Sequence, residues 1–168
     1  MGAADRPPPG RRRSAARLAA VQALYEIDVA GAAADPVLGE FIGQRWKKPV
    51  EGEPPLSDPD EAFLSGLVRG TASRMGEIDT LIAPALSQDW TLDRLEVLLR
   101  SILRAGTFEL VALDTPTKVV ITEYLDVAHA FFSGNEPALV NAVLDRVAAA
   151  ARAPEQGERG DGGPDSGE

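Results

Sequence analysis

At 168 residues and 17.8 kDa the chain has the size of one domain, long enough to bury roughly two-thirds of its unfolded surface without a staple. It has no cysteine and one histidine, which removes disulfides, thiolate metal sites, cysteine nucleophiles and any two-histidine metal site together. Its net charge of -9 argues against general polyanion binding, while 5% aromatic content with abundant Ala and Leu suits helix packing better than strands.

The charge is unevenly placed along the chain. Arg6, Arg11, Arg12, Arg13 and Arg17 lie near the amino end against Asp5 alone, whereas Glu155, Glu158, Asp161, Asp165 and Glu168 crowd the other end. Charges separated by more than about 8 Å are mostly screened at physiological salt, so this distribution matters more than the sum. Residues 1–10 are rich in Pro and Gly and read as a disordered tail, as does the acidic stretch 153–168, leaving 11–152 as the folded domain. The arginines lead into an Ala-rich segment without a cleavage pattern, and no run of about 18 apolar residues occurs, so a cytoplasmic protein off the membrane is expected.

Apolar residues recur at helical spacing throughout the domain, and no stretch alternates with period two between hairpin turns. A first helix is predicted from Ser14 to about Ala30, with Leu18, Val21, Tyr25 and Val29 on its inner stripe and Gly31 ending it. A second runs from Pro36 to Trp46 with Val37, Leu38, Phe41 and Ile42, and the KKPVEGEPPLS stretch that follows reads as a linker. Asp58, Pro59 and Glu61 form a helix start, with Asp58 as the cap of a third helix that turns Phe63, Leu64, Leu67, Val68 and Thr71 inward. A fourth covers Glu77 to Ser87.

Thr91 is predicted to cap a fifth helix reaching about Leu113, whose apolar residues fall around most of its circumference and place it in the middle of a bundle. Gly106 inside it implies that a neighbouring helix crosses closely, since glycine there costs about 1 kcal/mol relative to Ala. A sixth helix starts at Thr115 and Pro116 and ends near Phe132, and a seventh starts at Asn135 and runs to about Arg152. The fold class is therefore all-α, with about seven helices and short connections.

No catalytic constellation is present. His129 stands alone between two alanines, the glycines of GERGDGGPD match no phosphate loop or dinucleotide fingerprint, and the acidic residues are scattered as solvated faces. The expectation is a protein that is not an enzyme, with no cofactor and no metal. What remains is basic. Arg13 and Arg17 stand four apart and project from nearly the same side of the first helix, and arginine suits phosphate because its planar fork donates paired hydrogen bonds. A solvated basic tail is the plain alternative to nucleic-acid binding. Lys118, in the first turn of the sixth helix, opposes the helix dipole, as residues used for binding sometimes do.

The run RRRSAARLAAVQALYEID (Arg11 to Asp28) resembles the opening of NusB proteins. LDRLEVLLRSILRAGTFEL (Leu92 to Leu110), TPTKVVITEYLDVAHAF (Thr115 to Phe131) and LVNAVLDRVA (Leu139 to Ala148) occur in that family's order and spacing, so the resemblance spans roughly Arg11 to Ala150. It implies two packed helical bundles, three helices in the first and four in the second. It implies a transcription antitermination factor that binds boxA-type leader RNA together with the ribosomal protein NusE, and through it other Nus factors and RNA polymerase. By position, Arg13, Arg17, Gln22 and Tyr25 match the RNA-facing part of the first helix, while Lys118, Asn135 and Leu139 match positions near the RNA or partner surface.

Asn141 and Asp145 match the family's closing VNxxLD motif. Leu139 replaces a frequent Phe, and the triple arginine lies two residues further from AVQALY than in better-known members. An acidic body with a small basic patch should bind RNA weakly alone and more strongly once a basic ribosomal protein docks. Two other readings stay open: an RNA-binding module related to rRNA cytosine methyltransferases, and a helical protein–protein adaptor without RNA affinity. A homodimer that covers the binding surface is also compatible with the sequence.

Overall fold

Seven α-helices are found in the computed structural model, which describes residues 9–43, 51–52 and 58–157. They are α1 (Pro9–Ala30), α2 (Ala34–Gly43), α3 (Glu61–Ser73), α4 (Met75–Ile82), α5 (Val97–Ala112), α6 (Thr117–Phe131) and α7 (Glu136–Gly157). Short 3-10 turns at Ala83–Ala85 and Leu92–Arg94 lie between α4 and α5, and the described residues include no strand. The expected end of the second helix at Trp46, most of the 47–57 linker and the outer parts of both tails lie outside the described residues.

Helices α1, α2 and α3 pack on one another, and α4, α6 and α7 pack around α5. The two bundles share one core because α1 also lies along α5. The sequence explains how α1 can serve both. Its middle carries Ala15, Ala16, Ala19, Ala20 and Ala23, all buried together with Val21 and Leu24, and side chains this small let α3 and α5 approach from two sides. This corrects the expected inner stripe, for Tyr25 and Val29 are 39% and 58% exposed. Past Leu24 only one side of the helix stays covered, with Ile27 against the core and Asp28 paired to Arg100 and Arg104 of α5, while Tyr25 and Val29 face water.

Several helix ends differ from the sequence-based expectation for local reasons. Helix α1 begins at Pro9, five residues before Ser14, because a proline at the first helical position gives up only an amide that has no partner anyway. Gly31 then ends it at φ +63°, a conformation glycine takes without strain. The cap of α3 is Asp60, whose Oδ1 accepts from the Phe63 N–H at 3.0 Å. Asp58, the expected cap, instead faces Arg12 with Oδ2 3.8 Å from Nε. The Asp60 N–H donates to the Arg12 carbonyl at 2.9 Å, fastening the start of α3 to the start of α1.

Helix α4 stops at Ile82 rather than Ser87, since Pro84 has no N–H to continue the ladder and the chain tightens into a 3-10 turn. Thr91 caps only the next 3-10 turn, with no side-chain hydrogen bond. Leu95 then takes an extended backbone that turns its side chain into the core, and α5 starts after it at Val97. Gly106 sits where expected under a crossing helix: a Cβ there would lie 3.0 Å from both Leu144 Cδ atoms and 3.4 Å from Tyr124 Cδ2.

Candidate nucleic-acid interface

The first turns of α1 and α6 lie side by side with the start of α3 between their side chains and the turn after α5. They enclose an open groove of about 520 Å³ lined by Gly10, Arg13, Arg17, Phe63, Leu113, Asp114, Thr115, Pro116, Val119 and Glu123. Proline at 116 fixes the backbone just before α6, and Val119, 43% exposed, presents a bare apolar wall.

Arg13 and Arg17 do project the same way, as four-residue spacing requires: their guanidinium carbons lie 5.1 and 5.0 Å from the centre of the Phe63 ring. Their fates differ. Arg13 is exposed at the rim, while Arg17 is 3% exposed and bound at both ends of its fork by Glu109, Nε to Oε1 at 2.8 Å and Nη2 to Oε2 at 2.9 Å. The Tyr124 hydroxyl donates to the same Glu109 Oε1 at 3.1 Å, and Glu123 Oε1 lies 3.6 Å from Arg17 Nη1. Burial acts to lower the Arg17 pKa, but the hydrogen bonds and charge of Glu109, with Tyr124 and Glu123, outweigh it and hold it above its ordinary value. Burial, reinforced by the Glu109 charge, pushes the Tyr124 hydroxyl well above the usual phenol range. The side chain expected to face RNA is thus the floor of the groove, already satisfied by the protein's own carboxylates. Gln22 is likewise buried, at 5% exposure.

The remaining expected residues separate in space. Lys118 is exposed in the first turn of α6, beside the groove. Asn135 and Leu139 are at the far end of that helix: thirteen positions at about 1.5 Å each put roughly 20 Å between Lys118 and Phe131. There they line a second hollow of about 500 Å³ with Trp90, Arg94, Leu95, Glu96, Leu99 and Glu136. Tyr25 is exposed near the end of α1, away from the arginines. Asn141 and Asp145 are exposed on α7, and His129 on α6.

Most arginines of the helices are spoken for. Arg104 grips Asp79 through two hydrogen bonds of 2.8 Å, and Arg100 and Arg104 share Asp28 at 3.0 and 3.2 Å. Arg69 pairs with Asp35, Arg74 with Glu77, and Arg152 donates to the carbonyls of Leu110 and Thr115 and to Thr117 Oγ1. Among the described residues Arg11, Arg13, Arg94 and Lys118 are the cations with neither an ion pair nor a hydrogen bond. Three of those four sit where α1 and α6 begin.

Sequence reasoning missed Phe63, Pro116, Val119 and Glu123 as groove residues, and Trp90 and Arg94 in the second hollow. Glu109 could have been found. A carboxylate in the middle of an apolar run, SILRAGTFELVAL, demands a buried cation, and Arg17 is the arginine with an Ala-rich surround.

The NusB family matches residues 14–149, nearly all of the helical domain. The chain belongs to the NusB family. The transcription antitermination protein NusB of Caulobacter vibrioides is 47% identical over 141 residues, which is 83% of this chain and 94% of that protein. The NusB of Allorhizobium ampelinum is 46% identical over 144 residues, 85% and 89% of the two chains. Among solved structures, NusB of T. maritima superposes with a TM-score of 0.71 at 27% identity, covering 91% of this chain and 99% of that one. A crystal structure of the antitermination factors NusB and NusE with double-stranded RNA gives a TM-score of 0.69 at 25% identity over 83% and 98%. The match covers α1 from Ser14 through most of α7 and takes in every residue that lines the groove except Gly10 and Arg13, which precede it. No helix among the described residues is long and apolar enough to cross a membrane.

Proposed function

We propose that this protein is an RNA-binding transcription antitermination factor that acts with a NusE-type ribosomal protein on boxA-type leader RNA, and through that pair on other Nus factors and RNA polymerase. It works by binding, without catalysis, in the cytoplasm. The observation that carries the reading is the gathering of unpaired cations at one end of an acidic family member: Arg13 lines a groove with apolar walls, and the exposed Arg11 and Lys118 stand next in sequence to its lining residues Gly10 and Val119. Elsewhere the guanidinium groups of α3, α5 and α7, and that of Arg74 between α3 and α4, are already tied to the protein itself. Arg13 and Lys118 hold the backbone phosphates. Asn135 and Leu139, with Trp90 and Arg94, form a separate surface that contacts the partner or a more distant part of the RNA.

A titration of a boxA-like oligomer and a scrambled control, with and without the ribosomal partner, tests the reading. Binding should be sequence-dependent and tighter with the partner. Replacing Arg13 by Ala removes a charge-assisted contact and should weaken binding about tenfold with the circular-dichroism spectrum intact. Equal titration curves for the wild type and R13A would remove the groove from the binding surface.

A further inference from the structure

The groove has a positive rim and a negative floor. At the rim stands the exposed Arg13, and the exposed Lys118 precedes the lining residue Val119 in the first turn of α6. At the floor the charge of Arg17 is cancelled by Glu109, to which it donates two hydrogen bonds. Glu123 remains as surplus negative charge. Its side chain is 24% exposed and both of its contacts fall on one oxygen: Ser14 Oγ donates to Oε1 at 2.9 Å, and Arg17 Nη1 lies 3.6 Å from the same atom. Oε2 has no partner among the described residues. Asp114 adds a second carboxylate to the lining.

A phosphate drawn in by the rim cannot settle on that floor, because it would meet carboxylate rather than cation. A nucleobase can. The walls supply Pro116 and the exposed Val119 for its faces, next to the half-buried Phe63 ring that carries Arg13 and Arg17, and 520 Å³ is within the range of sites that hold small organic groups. What the floor then requires is a hydrogen-bond donor. We propose that this groove takes one base of the bound RNA edge-on and that Glu123 reads it, accepting from an exocyclic amine through Oε2. Cytosine, adenine and guanine carry such an amine. Uracil presents carbonyl oxygens at both positions flanking its single N–H, and these oppose the carboxylate. The inference rests on the RNA reading above and assigns to Glu123 the role of a specificity-determining residue within it.

Single-stranded cytosine and uracil 12-mers compare the amine with the carbonyl on rings of equal size. They are titrated at neutral pH and low salt into the full chain and its R13A and E123Q variants. Wild type should prefer the cytosine oligomer by about tenfold, the worth of one charge-assisted hydrogen bond. E123Q, whose amide both donates and accepts, should bring the ratio close to one, chiefly by losing cytosine affinity while uracil affinity holds or rises. R13A should weaken both oligomers by the same factor and leave the ratio alone. Thermal melting of E123Q beside the wild type confirms that the floor remains folded. A wild-type ratio near one, or a ratio that E123Q leaves unchanged, overturns the role of Glu123 while the RNA reading stands. Indifference of both oligomers to R13A takes the groove off the binding surface and this inference with it, and failure of every oligomer to bind brings down the RNA reading as well.

Discussion

Arg17 and Arg13 are the same residue type one helical turn apart, and their environments give them different work. Arg17 is inside the protein, where its charge is balanced by Glu109 and its remaining donor side faces Glu123. Removing one member of a buried ion pair leaves the other charge without compensation, which typically costs about 3–5 kcal/mol. Arg17→Ala should therefore lower the stability measured by urea denaturation by that amount, and any loss of RNA binding in it would report unfolding. Arg17→Ala with unaltered stability would show that Glu109 finds another partner. The contrast also marks what one residue's neighbours in sequence can reveal. The i, i+4 spacing announces that Arg13 and Arg17 share a side, but which of the two is covered depends on α5 and α6, about 90 and 105 positions further along by subtraction of residue numbers.

Among elements, α3 and α5 meet where glycine replaces side chain. Gly70 lies directly against the Phe108 ring, so close that a Cβ on it would overlap Cζ, and Arg74 holds its guanidinium carbon 6.0 Å from the centre of that ring. Helix propensity alone would make Gly70→Ala favourable by about 1 kcal/mol. Overpacking opposes it, because Phe108 is 7% exposed and its ring has to move within a filled core. The packing penalty of about 1–3 kcal/mol is the larger, so the variant should melt below the wild type in calorimetry; an unchanged or raised Tm would mean that Phe108 swings aside freely. Helix number and order were legible from apolar periodicity, and Gly106 announced its close crossing, since glycine in a strong helix former's place asks for a reason. The termini were less legible. Asp58 and Asp60 have equal capping chemistry, and the choice between them is made by a hydrogen bond from the Asp60 amide to Arg12, in another helix. The Ala-rich face of α1 was likewise read for its largest residues, Tyr25 and Val29, when the two-sided packing of a central helix selects its smallest.

At the scale of the whole molecule, a chain of net charge -9 is expected to repel RNA, and among the described residues three of its four unpaired cations stand where α1 and α6 begin. Family membership and the general location of that end were readable from the arginine-rich opening, whereas the groove was not, because Phe63 comes from α3 and Pro116 and Glu123 from the start of α6, and none carries a motif of its own. The physical consequence concerns salt. Phosphate neutralisation releases condensed counterions, so log affinity falls linearly with log salt by about 0.7 for each phosphate engaged on single-stranded RNA. Arg11, Arg13 and Lys118 alone can engage about three phosphates, a slope near -2. With a basic ribosomal partner completing the surface, about four to six phosphates give a slope of roughly -3 to -4. The protein alone should thus bind weakly and lose affinity gently with salt, and the pair should bind tightly and lose it steeply, so the advantage of the pair narrows as salt rises. Titrations at several salt concentrations measure both slopes. If the two lines run parallel, the partner adds affinity through protein contacts without adding phosphate contacts, and the cations of this chain supply the whole electrostatic share of binding.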